Sequence, residues 1–324
     1  MFEILPKQTH IGFVRRWRVC AAASLAFLLV SAAAVPLRGV KLGVDFAGGS
    51  LIVLRLPDPA ADEGQVRGTL ARLGLGDATV IRVEEPGQAL FQVHLPASQD
   101  VTPDQLVPLL EKELGGSADP ARVESVDFVG PRMGHDLRRS AVNALGISFL
   151  LILIYVAFRF TPAYAPGAVL ALIHDVAFTA GVFVLMGWEF DLNVVAALLT
   201  IVGYSLNDTI VIYDRIRESR SSHGDAHLAE VVDRSLNETL SRTVLTAGST
   251  LLALLALFAV GGPALRGFST AMIIGVVVGT YSSLYIAAPF VLLLEGLQAD
   301  RRQARAGART RAPAKPPRRA GGRP

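Results

Sequence analysis

The chain has 324 residues, of which 51% are hydrophobic and 18% are charged, and its formal net charge is +3. Apolar runs of about 20 residues in this composition exclude a soluble globular protein and indicate a polytopic membrane protein. The single cysteine, Cys20, excludes an intramolecular disulfide and a zinc cluster.

Six apolar stretches are each long enough to cross a bilayer, whose hydrocarbon core is spanned by about 20 helical residues. They predict membrane-spanning helices over residues 19–37, 140–158, 164–187, 192–213, 243–262 and 267–294. The first stretch also has features of a secretory signal peptide, with Ala32-Ala33-Ala34 as its cleavage site. We favour a span, because the run is longer than the apolar region of most signal peptides and six spans agree with the charge pattern.

The positions of arginine predict which side of the membrane each loop occupies, because short cytoplasmic loops are rich in Lys and Arg. Arginines precede the first span and follow the second and fourth, whereas the opposite short loops contain only Arg266. Residues 1–18 and 295–324 are therefore predicted to be cytoplasmic, and residues 38–139 periplasmic. The tail, 295–324, is basic and rich in Ala, Gly and Pro, which predicts disorder. Contact with anionic lipid or the ribosome and a role in topology alone both stay open for it.

Residues 38–139 predict one small extracytoplasmic α+β domain, so the predicted fold class is a six-helix membrane protein with a ferredoxin-like (β-α-β-β-α-β) domain. Strands are predicted at Leu51–Leu56, Ala78–Val83, Ala89–Leu95 and Ala121–Val129, with helices at Asp62–Gly74 and Pro103–Leu114. Glu85-Pro86-Gly87 predicts a turn, Thr102 caps the second helix, and Gly115-Gly116 ends it. The domain has no nucleophile–base pair and no cluster of metal ligands, so we interpret it as a binding or moving part.

Residues 214–242 follow the fourth span and predict a charged cytoplasmic segment. Val231, Val232, Leu236 and Leu240 lie on one helical face, which indicates an amphipathic helix lying in the membrane interface. We predict this segment as separate from the spans on either side.

An acidic residue inside the fourth span is the most informative feature of the chain. A carboxylate among lipid-crossing helices costs on the order of 3 kcal/mol, so Asp208 requires a partner, water or a proton. Thr200, Tyr204 and Asp208 are four residues apart and share a helix face, which Gly203 and Asn207 flank.

Polar residues also lie within other spans, and stripes that face one another would form a hydrated path through the bundle. They are Arg242, Thr246, Ser249 and Thr250 on the fifth span and His174-Asp175 near the middle of the third. On the sixth span, small residues recur every four positions and predict close helix packing. They are Gly275, Gly279 and Ser283.

We predict that these stripes carry protons. Asp208 binds and releases H⁺, while Arg242 cannot lose its proton and acts as a movable counter-charge. The predicted pathway contains Tyr204, Ser205, Asn207, Asp208, Thr209, Arg242 and Thr246, with His174 and Asp175 as further candidates. A fixed structural ion pair between Asp208 and Arg242 is the alternative. Structural and functional roles stay open for His174 and Asp175.

The sequence also resembles a known family. Residues 203–218, GYSLNDTIVIYDRIRE, closely resemble the fourth-span motif of the SecF family, whose members are subunits of the SecD–SecF protein-export complex. Tyr213 stands where Phe is common in the family, and His135-Asp136 where Glu-Leu is common. The short periplasmic loop favours SecF over SecD, whose loop is much longer. Further segments match the family in the same order: residues 43–49, 129–131, 172–176, 237–243 and 279–283.

The resemblance implies a function in protein export. A SecF-like chain forms a heterodimer with SecD through the transmembrane bundle, in an arrangement similar to resistance–nodulation–division transporters. The complex acts beside the SecYEG channel, with YajC as a further partner, and uses the proton-motive force to promote late, ATP-independent export of unfolded polypeptides. In the family, the acid and arginine that match Asp208 and Arg242 are implicated in proton passage. The resemblance also implies a multi-pass protein of the bacterial inner membrane, in contact with lipid, that is not an enzyme, binds no nucleic acid and uses no cofactor except protons.

Two glycine-containing segments join the periplasmic domain to the first and second spans. They are Gly48-Gly49 and Gly130-Pro131, and Asp45 lies just before the first of them. Protonation of Asp208 would change its contact with Arg242, shift the helices and move the domain. We therefore predict that these segments act as hinges or rigid couplers.

Two other functions stay open at this point. An autonomous small-molecule/H⁺ antiporter would use the same intramembrane acid, although six spans make only half of the usual transporter. A scaffold that only stabilises other subunits would not need Asp208. An intramembrane protease is not supported, because the sequence contains no paired-Asp motif and no set of metal-binding histidines.

Overall fold

The computed structural model describes residues 9–85, 88–96, 103–114, 121–159, 164–222 and 227–294. The predicted Pro86-Gly87 turn, the cap Thr102, the pair Gly115-Gly116 and the tail 295–324 lie outside these residues. The helices are α1 (Phe13–Arg38), α2 (Val44–Ala47), α3 (Glu63–Arg72), α4 (Pro103–Leu114), α5 (Pro131–Arg159), α6 (Ala165–Met186), α7 (Leu192–Ser222), α8 (Leu228–Val260) and α9 (Gly262–Ser282). The strands are β1 (Gly49–Leu56), β2 (Thr79–Glu85), β3 (Gln88–Pro96) and β4 (Arg122–Val129).

Six helices in the described part of the chain are long and apolar enough to cross a membrane, which confirms the predicted number of spans. They are α1, α5, α6, α7, α8 and α9. The last of these continues through a π-helical turn (Ser283–Ala287) and a further helical stretch to residue 294. The protein is therefore a multi-pass membrane protein.

The segment after the fourth span differs from the prediction. Residues 214–222 continue α7 and residues 228–242 form the first part of α8, so the described part of 214–242 contains no separate interfacial helix. Val232 and Leu236 lie in one buried cluster with Phe13 of α1. The spacing did not distinguish these arrangements, because an apolar helical face has the same spacing whether it packs against protein or against lipid.

The bundle has inner and outer helices. In α6, α7 and α9, about half of the residues in the most apolar part of the helix are buried. In α1, α5 and α8, most of the corresponding residues are exposed. Polar side chains avoid lipid when they face neighbouring helices. The inner helices accordingly carry Asp175, Asp208 and Ser282 in buried positions.

The region between α1 and α5 contains a four-stranded antiparallel sheet with the strand order β2-β3-β1-β4. The chain order of its elements, β-α-β-β-α-β, is the predicted one. Asp62 starts α3, because its Oδ1 accepts a hydrogen bond from the Gln65 nitrogen (2.8 Å). Apolar residues of α3 and α4 share one buried cluster with the sheet, including Val66, Leu70, Leu110, Ile52, Leu54 and Phe91.

A short helix that the sequence did not predict, α2, connects α1 to the sheet. Gly48 (φ 75°) and Gly49 (φ 128°) follow it with positive φ, a conformation that other residues rarely adopt. Gly134, in the first turn of α5, lies against this connection, since a Cβ on it would be 3.0 Å from the Gly48 nitrogen. Glycines therefore bring the chain's entry to the sheet domain and its exit into one compact junction.

The same junction is attached to the loop between α6 and α7. Leu42 forms a parallel β-bridge with Phe190. The Gly43 nitrogen donates to the Phe190 carbonyl (2.8 Å), and the Phe190 nitrogen donates to the Lys41 carbonyl (2.9 Å). Gly43 has little room for a side chain, because a Cβ would lie 3.2 Å from the Cβ of Asp191. The sheet domain is thus connected to the bundle through α1, α5 and this loop.

Candidate functional site

Small residues on α9 allow it to approach α7 closely. A Cβ on Gly275 would overlap the side chain of α7 that faces it, and a Cβ on Gly279 would lie 3.2 Å from its neighbour. Contacts between α7 and α9 therefore recur every four residues, and both helices belong to this chain. Gly275 faces Ile201, Gly279 faces Ser205, Ser283 Oγ lies 3.2 Å from Thr209 Oγ1, and Tyr213 Oη donates to the Ala287 carbonyl (2.9 Å).

Asp175 of α6 is fully buried beside this interface. Its Oδ2 accepts hydrogen bonds from Ser205 of α7 and from Ser282 Oγ of α9 (2.8 Å), and its Oδ1 lies 2.9 Å from His174 Nδ1. Gly279 lies against the same centre, because a Cβ there would be 3.2 Å from the Cβ of Ser205 and in ordinary contact with Oδ2 (3.6 Å). A buried carboxylate requires such donors, so Asp175 joins three inner helices through one polar centre.

Sequence reasoning did not place Ser282 among the site residues. It lies three residues after Gly279 and therefore on a neighbouring part of the same helical face. A run of small and hydroxyl residues in an otherwise apolar span was the available signal for it.

Asp208 has different surroundings from Asp175. It is 5% exposed, and its Oδ2 is buried without a hydrogen-bond partner among the described residues. Arg242 is near enough for its charge to act on Asp208, but within the described part of the chain no hydrogen bond or ion pair joins the two. This arrangement leaves one carboxylate oxygen available for a proton.

The polar stripe of α8 lies on the Asp208 side of α7. The Tyr204 hydroxyl is buried near Thr250. Thr246 Oγ1 donates to the Arg242 carbonyl (3.0 Å) of its own helix, so its hydroxyl is not directed at the guanidinium. Arg242 itself is exposed at the surface of the chain.

Polar and small residues of α7 and α8 reach the outer surface of the bundle on this side. Lipid is a poor neighbour for an arginine and an asparagine amide, because it supplies no hydrogen bonds. The hydroxyls of Thr200 and Ser249 donate to carbonyls of their own helices and are already bonded. The exposed set is Thr200, Gly203 and Asn207 on α7 and Arg242 and Ser249 on α8, and we call it the open polar face.

The predicted pathway residues therefore form two clusters, one around Asp175 and one around Asp208. They meet on α7, because Ser205 and Asp208 are three residues apart and their Cβ atoms are about 5 Å apart. The Asp175 carboxylate is fully hydrogen-bonded and suits a fixed position. The Asp208 carboxylate has a buried oxygen without a hydrogen-bond partner among the described residues and suits the uptake and release of a proton.

The other predicted coupling residues lie where the sheet domain meets the bundle. Gly130 precedes α5 and Pro131 is its first residue, a position that suits proline because no intrahelical bond is lost. Asp45 Oδ2 accepts a hydrogen bond from the nitrogen of Leu192, the first residue of α7 (2.9 Å). Asp45 thus caps, from the junction, the helix that carries Asp208.

Two acidic residues of the α6–α7 loop surround this cap. Asp191 Oδ1 accepts from the Val194 nitrogen (2.7 Å), and burial, followed by the nearby charge of Asp45, raises the pKa of Asp191. Glu189 Oε2 lies 3.5 Å from His94 Nδ1 on β3. Burial lowers the pKa of His94 and raises the pKa of Glu189.

Among the described residues, no group of three or more His, Cys, Asp or Glu side chains converges as a set of metal ligands. The two intramembrane clusters contain carboxylates, hydroxyls and an imidazole.

Comparison with known families gives two matches along the chain. Residues 110–296 match the family described as "Protein export membrane protein SecD/SecF, C-terminal". Residues 33–56 match "SecD/SecF GG Motif", a range that includes the junction glycines Gly48 and Gly49.

Individual proteins agree with these matches. Protein translocase subunit SecF of Vibrio alginolyticus is 40% identical over 304 residues, which cover 93% of this chain and 94% of that protein. Protein translocase subunit SecDF of Thermus thermophilus is 41% identical over 287 residues, or 87% of this chain and 38% of that protein. A crystal structure of Thermus SecDF, described as a translocon-associated membrane protein, has a TM-score of 0.80 at 38% identity. The similarity covers 90% of this chain, which spans 40% of the length of that structure.

Proposed function

We propose a proton-driven role for this chain, which belongs to the SecD/SecF family of protein export membrane proteins and is a SecF-like protein translocase subunit of the inner membrane. In this proposal the chain uses the proton-motive force to promote late, ATP-independent steps of export. The exported unfolded polypeptides would emerge from the SecYEG channel, with YajC as an additional partner. Both termini would lie in the cytoplasm and the sheet domain, which we interpret as ferredoxin-like, outside it. The observation that carries the proposal is the buried carboxylate of Asp208, whose Oδ2 has no hydrogen-bond partner among the described residues and which lies near the charge of Arg242.

The first step of the proposed mechanism is proton uptake at Asp208. The neutral carboxyl group has no attraction for Arg242, whereas the carboxylate attracts it, so each protonation state favours a different spacing of α7 and α8. One proton that moves down 100 mV supplies about 2.3 kcal/mol. That energy is enough to shift a two-state equilibrium between helix positions by more than tenfold.

The second step passes the movement to the sheet domain. α7 begins at Leu192, whose nitrogen is capped by Asp45 of the junction. The β-bridge between Leu42 and Phe190 holds the same junction to the loop that starts α7. A shift of α7 would therefore displace the junction and, through Gly48-Gly49, the first strand of the sheet domain.

The proposed partner in the membrane is SecD. Relatives exist in which the two are fused, as the name SecDF and the added length of the Thermus protein indicate. The open polar face supports this partnership, because Arg242 and Asn207 need polar neighbours that lipid does not provide. We propose that SecD helices cover this face and complete the proton pathway.

The decisive experiment measures proton-dependent export with Asp208→Asn in inverted membrane vesicles that contain SecD and the channel. The amide keeps the size of the side chain but cannot carry the proton, so stimulation of export by the proton gradient should be lost. Asp214→Asn is the matched control, because Asp214 lies six residues further along α7 in an exposed position. Undiminished stimulation in the Asp208→Asn vesicles would contradict the proposal and favour the scaffold.

The same preparation tests the antiporter. An autonomous antiporter would acidify or alkalinise vesicles in response to a small-molecule substrate when SecD is absent. The proposed subunit would show proton flux only together with SecD and in step with export.

A further inference from the structure

The chain segment before α1 is bound to the first part of α8 by a single asparagine. The Ile11 nitrogen donates to Asn237 Oδ1 (2.9 Å), and Asn237 Nδ2 donates to the Ile11 carbonyl (2.9 Å). The amide therefore pairs with both backbone groups of one residue, as a neighbouring strand would. Asn237 Nδ2 also donates to the Asp233 carbonyl of its own helix (2.7 Å), which fixes the orientation of the amide.

A second residue of α8 completes the connection. Asp233 Oδ1 accepts from the Val14 nitrogen (2.8 Å), so it caps the beginning of α1 from a different helix. The capping residue of α1 itself is Gly12, which has no side chain to do this. Phe13 follows and is buried in the same cluster as Val232 and Leu236. Together these contacts, which we call the α1–α8 tie, fix the position of α8 along its axis relative to α1.

The tie lies directly before Arg242. Arg242 lies five positions after Asn237, a rise of about 7.5 Å along the helix. Glu238, on the helical face of Arg242, bonds to Arg215 of α7 (2.6 Å). α8 is therefore held by α1 and by α7 within about one and a half turns of the arginine.

The side chains of Asn237 and Glu238 point about 100° apart around α8, because they are neighbouring positions on a helix. Their attachments to α1 and α7 therefore constrain the rotation of α8 about its axis as well as its position along that axis. The Arg215–Glu238 pair is exposed, and exposed ion pairs hold geometry weakly. The amide of Asn237 fixes the geometry more closely than this ion pair does, because it bonds to both backbone groups of Ile11. We propose that Asn237 is a positioning residue that sets the distance and orientation of Arg242 relative to Asp208 through the α1–α8 tie.

This inference rests on the proposed proton function of Asp208, but its first test does not need export. Spin labels are attached at Arg16→Cys and Glu230→Cys in a Cys20→Ala background, in the full chain reconstituted with SecD. None of the three substituted residues contributes a contact to the α1–α8 tie, and the two labelled residues, Arg16 and Glu230, are exposed. With Asn237→Ala, the narrow distance distribution between α1 and α8 should broaden and shift. An unchanged distribution would overturn the inference whether or not Asp208 carries protons.

The second test measures proton-stimulated export. Loss of two hydrogen bonds at the tie should lower the stimulation by about tenfold, while the amount of folded SecD complex stays the same. Asn143→Ala on the exposed surface of α5 is the matched control and should keep full activity. Full activity of Asn237→Ala would overturn the inference.

A rescue experiment separates positioning from general stability. In an Ile11→Cys, Asn237→Cys variant with the Cys20→Ala background, a short bifunctional thiol reagent replaces the amide with a covalent link. Positioning predicts that the link restores at least half of the proton-stimulated export, because only the spacing of α1 and α8 matters. Failure of the linked protein to recover, although its α1–α8 distance distribution is narrow again, would overturn the inference.

Discussion

At the residue scale, the absence of a side chain at Gly275 and Gly279 determines how closely α9 approaches α7. Without hydrophobic attraction between helices in lipid, close packing and hydrogen bonds must hold them together. These glycines allow both, because they bring Ser282 of α9 within hydrogen-bond distance of Asp175.

Gly275→Val should therefore destabilise the protein by about 2 kcal/mol, since the added atoms overlap Ile201 in a packed interface. Thermal unfolding of the purified chain in detergent measures the effect. Gly146→Val on α5 is the control, because a Cβ at Gly146 meets nothing within 4 Å. Equal melting temperatures for the two variants would contradict close α7–α9 packing.

Also at the residue scale, His94 and Glu189 predict opposite effects of pH on stability. Burial lowers the pKa of His94, so the unfolded chain binds a proton there more readily, and stability falls as pH drops below about 6.5. Burial raises the pKa of Glu189, so the folded chain binds a proton there more readily, and stability rises as pH falls through that raised value.

Melting temperatures at pH 7.5 and 5.5 test these signs. His94→Gln should make the loss of stability on acidification smaller than in the unmodified chain, and Glu189→Gln should make it larger. A larger loss for His94→Gln would mean that ion pairing with Glu189 outweighs the cost of burying the charged imidazole.

At the element scale, two helices are capped by residues from elsewhere in the chain. Asp45 accepts from the first residue of α7, and Asp233 accepts from the beginning of α1. Carboxylates at helix N-termini bond free N–H groups and interact favourably with the helix dipole. Each cap also joins two elements of the fold.

Asp45→Ala should weaken the start of α7 by about 1 kcal/mol, which corresponds to roughly fivefold faster amide exchange at Leu192. Hydrogen exchange with mass spectrometry measures this in the intact chain. Asp77→Ala, at an exposed position of the sheet domain, should leave exchange at α7 unchanged. Unchanged exchange in Asp45→Ala would show that Asp191 alone caps the helix.

At the scale of the whole molecule, the exposure of the open polar face indicates that the chain is incomplete as a membrane protein by itself. Lipid-facing surfaces of α1 and α5 are apolar, whereas this face combines Thr200, Gly203, Asn207, Arg242 and Ser249. The proposed interface with SecD would resolve the difference, because facing helices supply hydrogen bonds and a counter-charge.

Cysteines at Thr200 and Ser249 should therefore crosslink to SecD in membranes, in a Cys20→Ala background. Leu150→Cys on the exposed apolar surface of α5 is the control and should give no SecD adduct. A crosslink from Leu150 without one from Thr200 or Ser249 would place SecD on the opposite side of the bundle. No crosslink is expected from the stripe Gly275, Gly279 and Ser283, because it packs within the chain.

Much of the candidate site was predictable, but its division into two clusters was not. Asp208 and Arg242 are recognisable because a charge inside an apolar run is costly wherever it occurs. His174-Asp175 was predicted for the same reason. The partners of Asp175, Ser205 and Ser282, lie 30 and 107 residues away from it in the chain, so only helix packing shows that they meet.

The sequence by itself determined the elements whose physical cause is local: six spans, from apolar length, and a β-α-β-β-α-β region, from alternating and helical periodicity. The tertiary structure decided everything that depends on which face meets which neighbour. It made residues 214–222 a continuation of α7 and residues 228–242 the first part of α8, and it attached the sheet domain to α7 through Asp45. Among the described residues, it left Asp208 and Arg242 without a direct bond. Periodicity specifies that a helix has an apolar or polar face, but contacts between distant residues choose the partner of that face.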